Sequence, residues 1–330
     1  MKKLRIVWLL LWLPLIAFAQ LEETQVVISD GLSNDYLKQK IEMNISHFLV
    51  ACNKAVMDGK KPKLDDEMTD AAQETLEQMW KASPMVCPVS KVEEICLETS
   101  GGGYQIRNVP ISMMAADEDK KEQELVFNMT SSGLIDNISI AIDEHKYKEI
   151  MDEHESVEDL FRRQVIIDFI ESYRTSYNRK DLEYIESVFS DNALIITGKV
   201  VREKPKSDHA LRTLSHEKIV YQKRTKKQYI ENLKKVFSGN KYINVIFDEV
   251  EVIQHPKLTD IYGVTLKQEW NTNRYSDVGF IFLMIDFQDE NHPLIQVRTW
   301  QPEKLNGAVL AREEVFSLGD FTIARSIIND

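Results

Sequence analysis

The feature that most narrows the fold is a series of four apolar segments, YINVIFDEVEVI, IYGVTLKQEW, VGFIFLMIDF and LIQVRTW, between residues 242 and 300. Polar turns separate them, so each is expected to pair with the next in an antiparallel meander. VGFIFLMIDF is apolar on both faces, whereas a half-exposed antiparallel strand alternates. Its outer face therefore needs a cover, by domain packing or by dimerisation, unless it is simply a central strand between ordinary neighbours. Ahead of the meander lies an amphipathic helix with Leu160, Ile166, Ile167, Ile170, Tyr173 and Tyr177 on one side. A polar break at residues 178–180 follows, then a short helix capped by Asp181, a strand ALIITGKVV, an insertion, and a helix over about 225–237 ended by Gly239.

The first half of the chain repeats this order. Ser33 can cap a helix whose apolar positions Leu37, Ile41, Ile45, Phe48, Cys52 and Val56 recur at spacings of three and four. Asp65 or Asp66 starts a second helix with Met68, Ala72, Leu76, Met79 and Trp80 on its inner side. After Pro84 come VEEICLE, YQIRNVPISMM, QELVFNM and LIDNISIAI, separated by turn chemistry. The expected architecture is α+β: two tandem cone-shaped domains, each with helices packed on a curved antiparallel sheet of four to five strands. The expected boundaries are a loose leader at 20–32, a first domain at 33–143, a charged helical connector at 144–156 running into the next helix, a second domain at 157–304, and a tail at 305–330. FSLGDFTI in the tail reads as a short strand lying along the second domain. The matching order points to a duplication with weak residue identity.

Residues 1–19 read as a cleaved signal peptide: Lys2, Lys3 and Arg5 precede an apolar run from Ile6 to Phe18 that ends on small residues before Gln20. An uncleaved anchor is the alternative; the run is short and interrupted by Pro14. Export to the periplasm or the outside of a bacterium is expected, with no span after cleavage. Losing those three cations from 41 basic side chains leaves 38 against 53 acidic ones, a balance of −15. That charge excludes a general nucleic-acid binder. Cys52, Cys87 and Cys96 allow one bridge among three pairings, or three buried thiols. No CxxC or Cys/His spacing signals a metal site, and no cofactor is expected.

The stretch from Asp168 to Thr197 resembles the nuclear transport factor 2-like superfamily, which includes ketosteroid isomerase and many small lyases. The resemblance is carried by Tyr173, Asn178, Asp181, Leu182, Phe189, Asp191, Asn192 and Ala193, and the order of elements extends it to about Trp300. In the first half only the order of elements is shared. The resemblance implies a cone, a curved sheet wrapping a long helix, often with an apolar pocket. Because such folds host isomerases, dehydratases and binding modules alike, residues must decide the function.

Carried over without gaps, the isomerase's hydrogen-bond donor falls on Tyr173 and its proton-abstracting carboxylate on Thr197. A threonine hydroxyl has no useful basicity near neutral pH. The third catalytic position falls near Leu283, which cannot donate a hydrogen bond, and the His–Asp pair of the lyases has no counterpart. Tyr173 and Tyr177 either line a pocket or pack in the core. Trp270, which shares a strand face with Tyr262, Val264, Leu266 and Gln268, and the pair Arg298 and Trp300 complete the candidate pocket. Arg298 and Trp300 are placed to form a cation–π pair or an anion contact.

Between Lys199 and Lys235 twelve cations accompany four acids, a net of +8 in an acidic protein. Lys223, Arg224, Lys226 and Lys227 are its densest part, either a docking patch for an anionic partner or a solvated face. The expectation is a non-catalytic binding or assembly module with a protein or glycan partner; the alternatives are an isomerase- or lyase-like enzyme using the second-domain pocket, or a carbohydrate-binding protein.

Overall fold

The computed structural model of the chain describes residues 23–64, 66–99, 102–115, 121–142, 144–154, 156–203, 216–241, 243–290 and 292–321. The expected signal peptide lies outside them. The described chain divides into two compact units, one formed by residues 23–144 with 164–179 and the other by 145–163 with 180–321.

The leader is not loose. Strand β1 (Gln25–Ile28) pairs in parallel with β3 (Lys91–Glu94) and buries Val26 and Ile28. Helix α1 (Asp35–Asp58) starts one residue later than the Ser33 cap implied, because the Asn34 side chain accepts from the Leu37 N–H at 3.1 Å. It stops at Gly59, whose left-handed φ of 64° carries two capping bonds. Helix α2 (Asp70–Ala82) begins after Thr69, not at Asp65 or Asp66, because the Thr69 hydroxyl accepts from Ala72. Strands β2 (Met85–Val86), β5 (Tyr104–Met113), β6 (Glu122–Met129) and β7 (Ile135–Ile140) form one sheet in that order, with β4 (Cys96–Glu98) also on β5. VEEICLE is thus split: β3 leaves for β1 while β4 joins the larger sheet. Ile41, Ile45, Phe48, Met79, Phe127 and Ile138 lie in the core between helices and sheet. Cys52, Cys87 and Cys96 are all free and buried, and burial raises each thiol above its ordinary value, Cys96 to about 11.

Residues 144–156 do not run continuously into the next helix. Helix α3 (Glu144–Asp152) ends before helix α4 (Val157–Asn178) begins. Residues 157–163 of α4 belong to the second unit and 164–178 to the first. As expected, the Asp181 side chain accepts from the Tyr184 N–H at 2.9 Å and starts helix α5 (Leu182–Ser187). A six-stranded sheet follows, in the order β10-β11-β12-β13-β8-β9. Its strands are β8 (Phe189–Glu203), β9 (His216–Arg224), β10 (Ile243–Gln254), β11 (Ile261–Thr272), β12 (Ser276–Asp286) and β13 (Leu294–Pro302). Only the β13–β8 pairing is parallel. Strand β9 is a correction: the segment taken as an insertion pairs with β8 over nine residues. Helix α6 (Lys226–Gly239) carries a complete capping box at Thr225 and Gln228.

Among its described residues, which end at 321, the tail is no strand beyond the short ribbon of β14 (Lys304–Leu305) and β15 (Ala308–Val309); it continues as two 3-10 turns. It covers the outer face of β12. Phe321 stacks on Phe282 at 5.4 Å, Phe316 packs edge-on to Tyr221, and Val315 and Leu310 close over Phe280. Gln301 fixes the tail by donating to Glu314 O (2.8 Å) and accepting from the Phe316 N–H (2.7 Å). The two-sided apolar strand is therefore covered by its own chain.

Phe→Ala changes in full cores cost about 3–5 kcal/mol; Phe316 is only half-buried. Phe316→Ala is expected to lower stability in urea by about 1–3 kcal/mol and to increase binding of an apolar dye, because Phe282 and Met284 lose cover.

Candidate functional site

Strand register places Thr197, Arg298, Trp300, Trp270, Leu283 and Gln268 on one face of the second unit's sheet. Trp300 stands opposite Thr197 and Ile281, Arg298 opposite Ile195 and Leu283, Gln268 opposite Gly279, and Trp270 opposite Asp277. They form a diagonal strip, since Trp270 and Thr197 are three strands and four residues apart, on the order of 20 Å between Cα atoms. Gly279 links the strip: a Cβ there would stand 2.7 Å from Cε2 of Trp300, so the indole lies over the glycine beside Gln268.

Gln268 is 4% exposed, and its side-chain oxygen has no hydrogen-bond partner among the described residues. Beyond it, Tyr275 Oη donates to Asp277 Oδ2 at 2.8 Å; burial raises Asp277 above the usual carboxylate range and, with this bond, pushes Tyr275 up to about 12. Arg298 does not stack on Trp300. Its guanidinium lies 5.1 Å from the centroid of the Tyr229 ring of α6, and the side chain is buried. Leu283 is fully buried, so that position supplies no polar group.

Tyr173 and Tyr177 belong to the part of α4 in the first unit. Both are fully buried, with their hydroxyls 2.5 Å apart and Tyr173 stacked on Phe169. Of the basic patch, Lys223 and Lys227 are exposed, Arg224 is half-buried and donates to Gln222, and Lys226 turns inward to the Phe189 carbonyl (2.9 Å) and Asp191 (3.0 Å). Lys204, Lys206 and Arg212 lie outside the described residues.

A polar cluster in the first unit has no counterpart in the sequence reading. Arg107, 5% exposed, forks onto both oxygens of the fully buried Glu171 and donates to Gln105 Oε1 at 3.1 Å. Gln105 Nε2 donates to Asn128 Oδ1 (2.8 Å) and Asp168 Oδ1 (2.9 Å); Glu171 also accepts from the Ile142 N–H (2.8 Å). Burial, then the neighbouring Glu171 charge, pushes the Asp168 carboxyl up to about 6. Every group named is held by protein partners, so the cluster fastens α4 to β5 and to the residues just after β7. Its available signal is polar Gln105 and Arg107 within the otherwise apolar YQIRNVPI, and a helix polar at 168, 171 and 174 between its apolar positions.

Among the described residues no group of three or more His, Cys, Asp or Glu side chains is arranged to hold a metal, and no helix is long and apolar enough to cross a membrane.

No family model and no curated protein matches the chain. Solved structures do. They include a Bdellovibrio bacteriovorus protein (14% identical, covering 63% of this chain and 71% of that one, TM-score 0.33). An NTF2-like protein from Cytophaga hutchinsonii is 16% identical, with 43% and 98% coverage and a TM-score of 0.31. A scytalone dehydratase-like protein from Novosphingobium aromaticivorans is 8% identical, with 46% and 91% coverage and a TM-score of 0.33. The Cytophaga and Novosphingobium neighbours are NTF2-like proteins, and likeness at this level leaves the chemistry to this chain's own residues.

Removing one partner of a buried ion pair costs about 3–5 kcal/mol, whereas replacing both with apolar groups is often neutral. Arg107→Met is expected to lose about 3–5 kcal/mol in urea denaturation, and adding Glu171→Leu to recover most of it. Asp168 should titrate near pH 6 by carboxyl NMR. With a raised folded pKa the native state holds its proton up to about 6 while the unfolded chain releases it near 4, so this group's contribution to stability falls as pH rises through that window. Asp168→Asn should remove that slope.

Proposed function

We propose that the chain is an exported, non-catalytic binding module whose second unit receives a neutral ring-shaped molecule bearing hydroxyl or amide donors, the class to which sugars belong. The unpartnered Gln268 oxygen between the Trp270 and Trp300 positions carries this reading. A buried acceptor without a donor costs about 1–3 kcal/mol, which a ligand's O–H or N–H recovers on binding. The indoles supply flat apolar surface beside it. Against an isomerase, Asp277, the carboxylate that the register places on Thr197's sheet face, stands about 15–20 Å away. That separation fails the convergence a proton transfer requires. The order of helices and strands in both halves supports two tandem cones, and the apolar N-terminal run supports export.

The test is tryptophan fluorescence titration with neutral mono- and disaccharides, N-acetylated ones included. Saturable quenching is expected, weakened at least tenfold in Trp300→Ala and in Gln268→Leu. Gln268→Leu should also raise Tm, since it removes the orphaned acceptor. No saturable response, or quenching indifferent to both changes, rejects a sugar site. Exchange of an α-proton of a 3-oxosteroid for deuterium, abolished by Thr197→Val, would make the protein an enzyme.

A further inference from the structure

The two edges of the second unit's sheet are treated differently. Strand β10 is closed: it carries a bulge between Asp248 and Glu251, Glu249 takes a left-handed φ of 49°, and Arg163 Nη1 donates both to Val252 O (3.3 Å) and to Ile150 O of α3 (3.2 Å). Acids at 248, 249 and 251 add charge to that edge. Such devices prevent edge-to-edge pairing. Strand β9, at the other end, has no bulge and no proline over nine residues.

The direction of its backbone groups follows from one contact. The Glu217 N–H donates to Asn306 Oδ1 at 2.7 Å and its carbonyl accepts from Asn306 Nδ2 at 3.3 Å, so both groups of Glu217 point away from β8. In an antiparallel strand the sense alternates. The N–H and C=O of Ile219, Tyr221 and Lys223 therefore also point outward, and no partner takes them among the described residues. Asn306 acts as a one-residue imitation of a paired strand at the start of the edge, and the rest stays open. Val220 and Tyr221 are 39% and 42% exposed, so the open stretch presents apolar side chains on both faces. Lys218 and Lys223 flank it, with Arg224 and Lys227 just beyond.

We infer that β9 is a docking edge for an extended acidic segment of another protein, which adds a seventh strand to the sheet. The backbone of residues 219–223 supplies the hydrogen bonds, Val220 and Tyr221 the side-chain contacts, and the flanking cations the selectivity. The same cations act against a second copy of β9 paired about Tyr221, the middle of the open stretch, because antiparallel self-pairing there sets Lys218 against Arg224. Opposite charge on the incoming strand turns that repulsion into attraction.

The probe is a fluorescein-labelled, end-capped octapeptide alternating valine and glutamate, with a valine–lysine peptide as control, read by anisotropy against the full-length protein at low and high salt. Saturable, salt-sensitive binding of the acidic peptide alone is expected. Amide exchange should slow at Ile219, Tyr221 and Lys223 and stay unchanged at Val220 and Gln222, which already face β8. Lys223→Gln removes one charge and should weaken binding a few-fold. Lys223→Pro removes the same charge and an outward N–H while sparing the bonds to β8, and should weaken it at least tenfold. Thermal melts and circular dichroism confirm that both variants fold, and Tyr221→Thr, which keeps the backbone donor, supplies a second variant with partial loss. Absence of saturable binding, equal loss in the glutamine and proline variants, or unchanged exchange at 219, 221 and 223 overturns the proposal. Sedimentation that shows self-association abolished by Lys223→Pro also overturns it, making a second copy the occupant.

Discussion

A strand apolar on both sides sets the terms for the second unit. β12 buries Ile281, Leu283 and Ile285 on one face and Phe280, Phe282 and Met284 on the other. At roughly 25 cal/mol for each Å² of apolar surface, leaving either face wet costs several kcal/mol, a large part of a typical domain's stability. The outer face is covered within the chain by residues 310–321, and Gln301 registers that tail through two backbone bonds. Residues 310–321 make no ladder with the sheet, so their hold is apolar contact, the Gln301 amide and an ion pair from Arg312 to Glu251 of β10.

Where hydrophobic period and capping chemistry agree, the sequence was read correctly. Asp181 before α5, the helix over about 225–237, and the four closing strands β10 to β13 all stand where their residues imply. The misses share a physical cause. Val26 and Ile28 belong to a four-residue strand, too short for alternation to show against a polar leader. The cations of HEKIVYQKR mask its strand pattern, and such charge is tolerated because β9 is an edge strand. The tail's FSLGDF has the apolar content of a strand, but its aromatic residues are spent on face contacts and its backbone folds into tight turns. The connector helix breaks near Glu153, where charge density alone carried no stop signal.

The candidate site was legible by face and illegible by distance. A period of two correctly puts Trp270 with Gln268 and Arg298 with Trp300. Strand offsets, which no local pattern encodes, decide that these residues form a strip, and that Arg298 meets Tyr229 of α6 instead of its strand neighbour. Thr197 is judged from chemistry alone, because a neutral alcohol is too weak a base near neutral pH to take an α-proton as a carboxylate does.

Buried polar groups in this protein fall into two kinds, and the difference bears on function. Arg107, Glu171, Gln105 and Asp168 are bonded to one another and to Asn128 and the Ile142 N–H, and such a network holds one geometry. Gln268 is as deeply buried yet keeps an oxygen without a donor, on the face that also carries the Trp270 and Trp300 positions. Folding alone favours leucine there, since an apolar side chain of similar size avoids the desolvation cost. On the proposed reading, the amide at that position awaits a donor from outside the chain, and the Trp270 and Trp300 positions flank it with apolar surface.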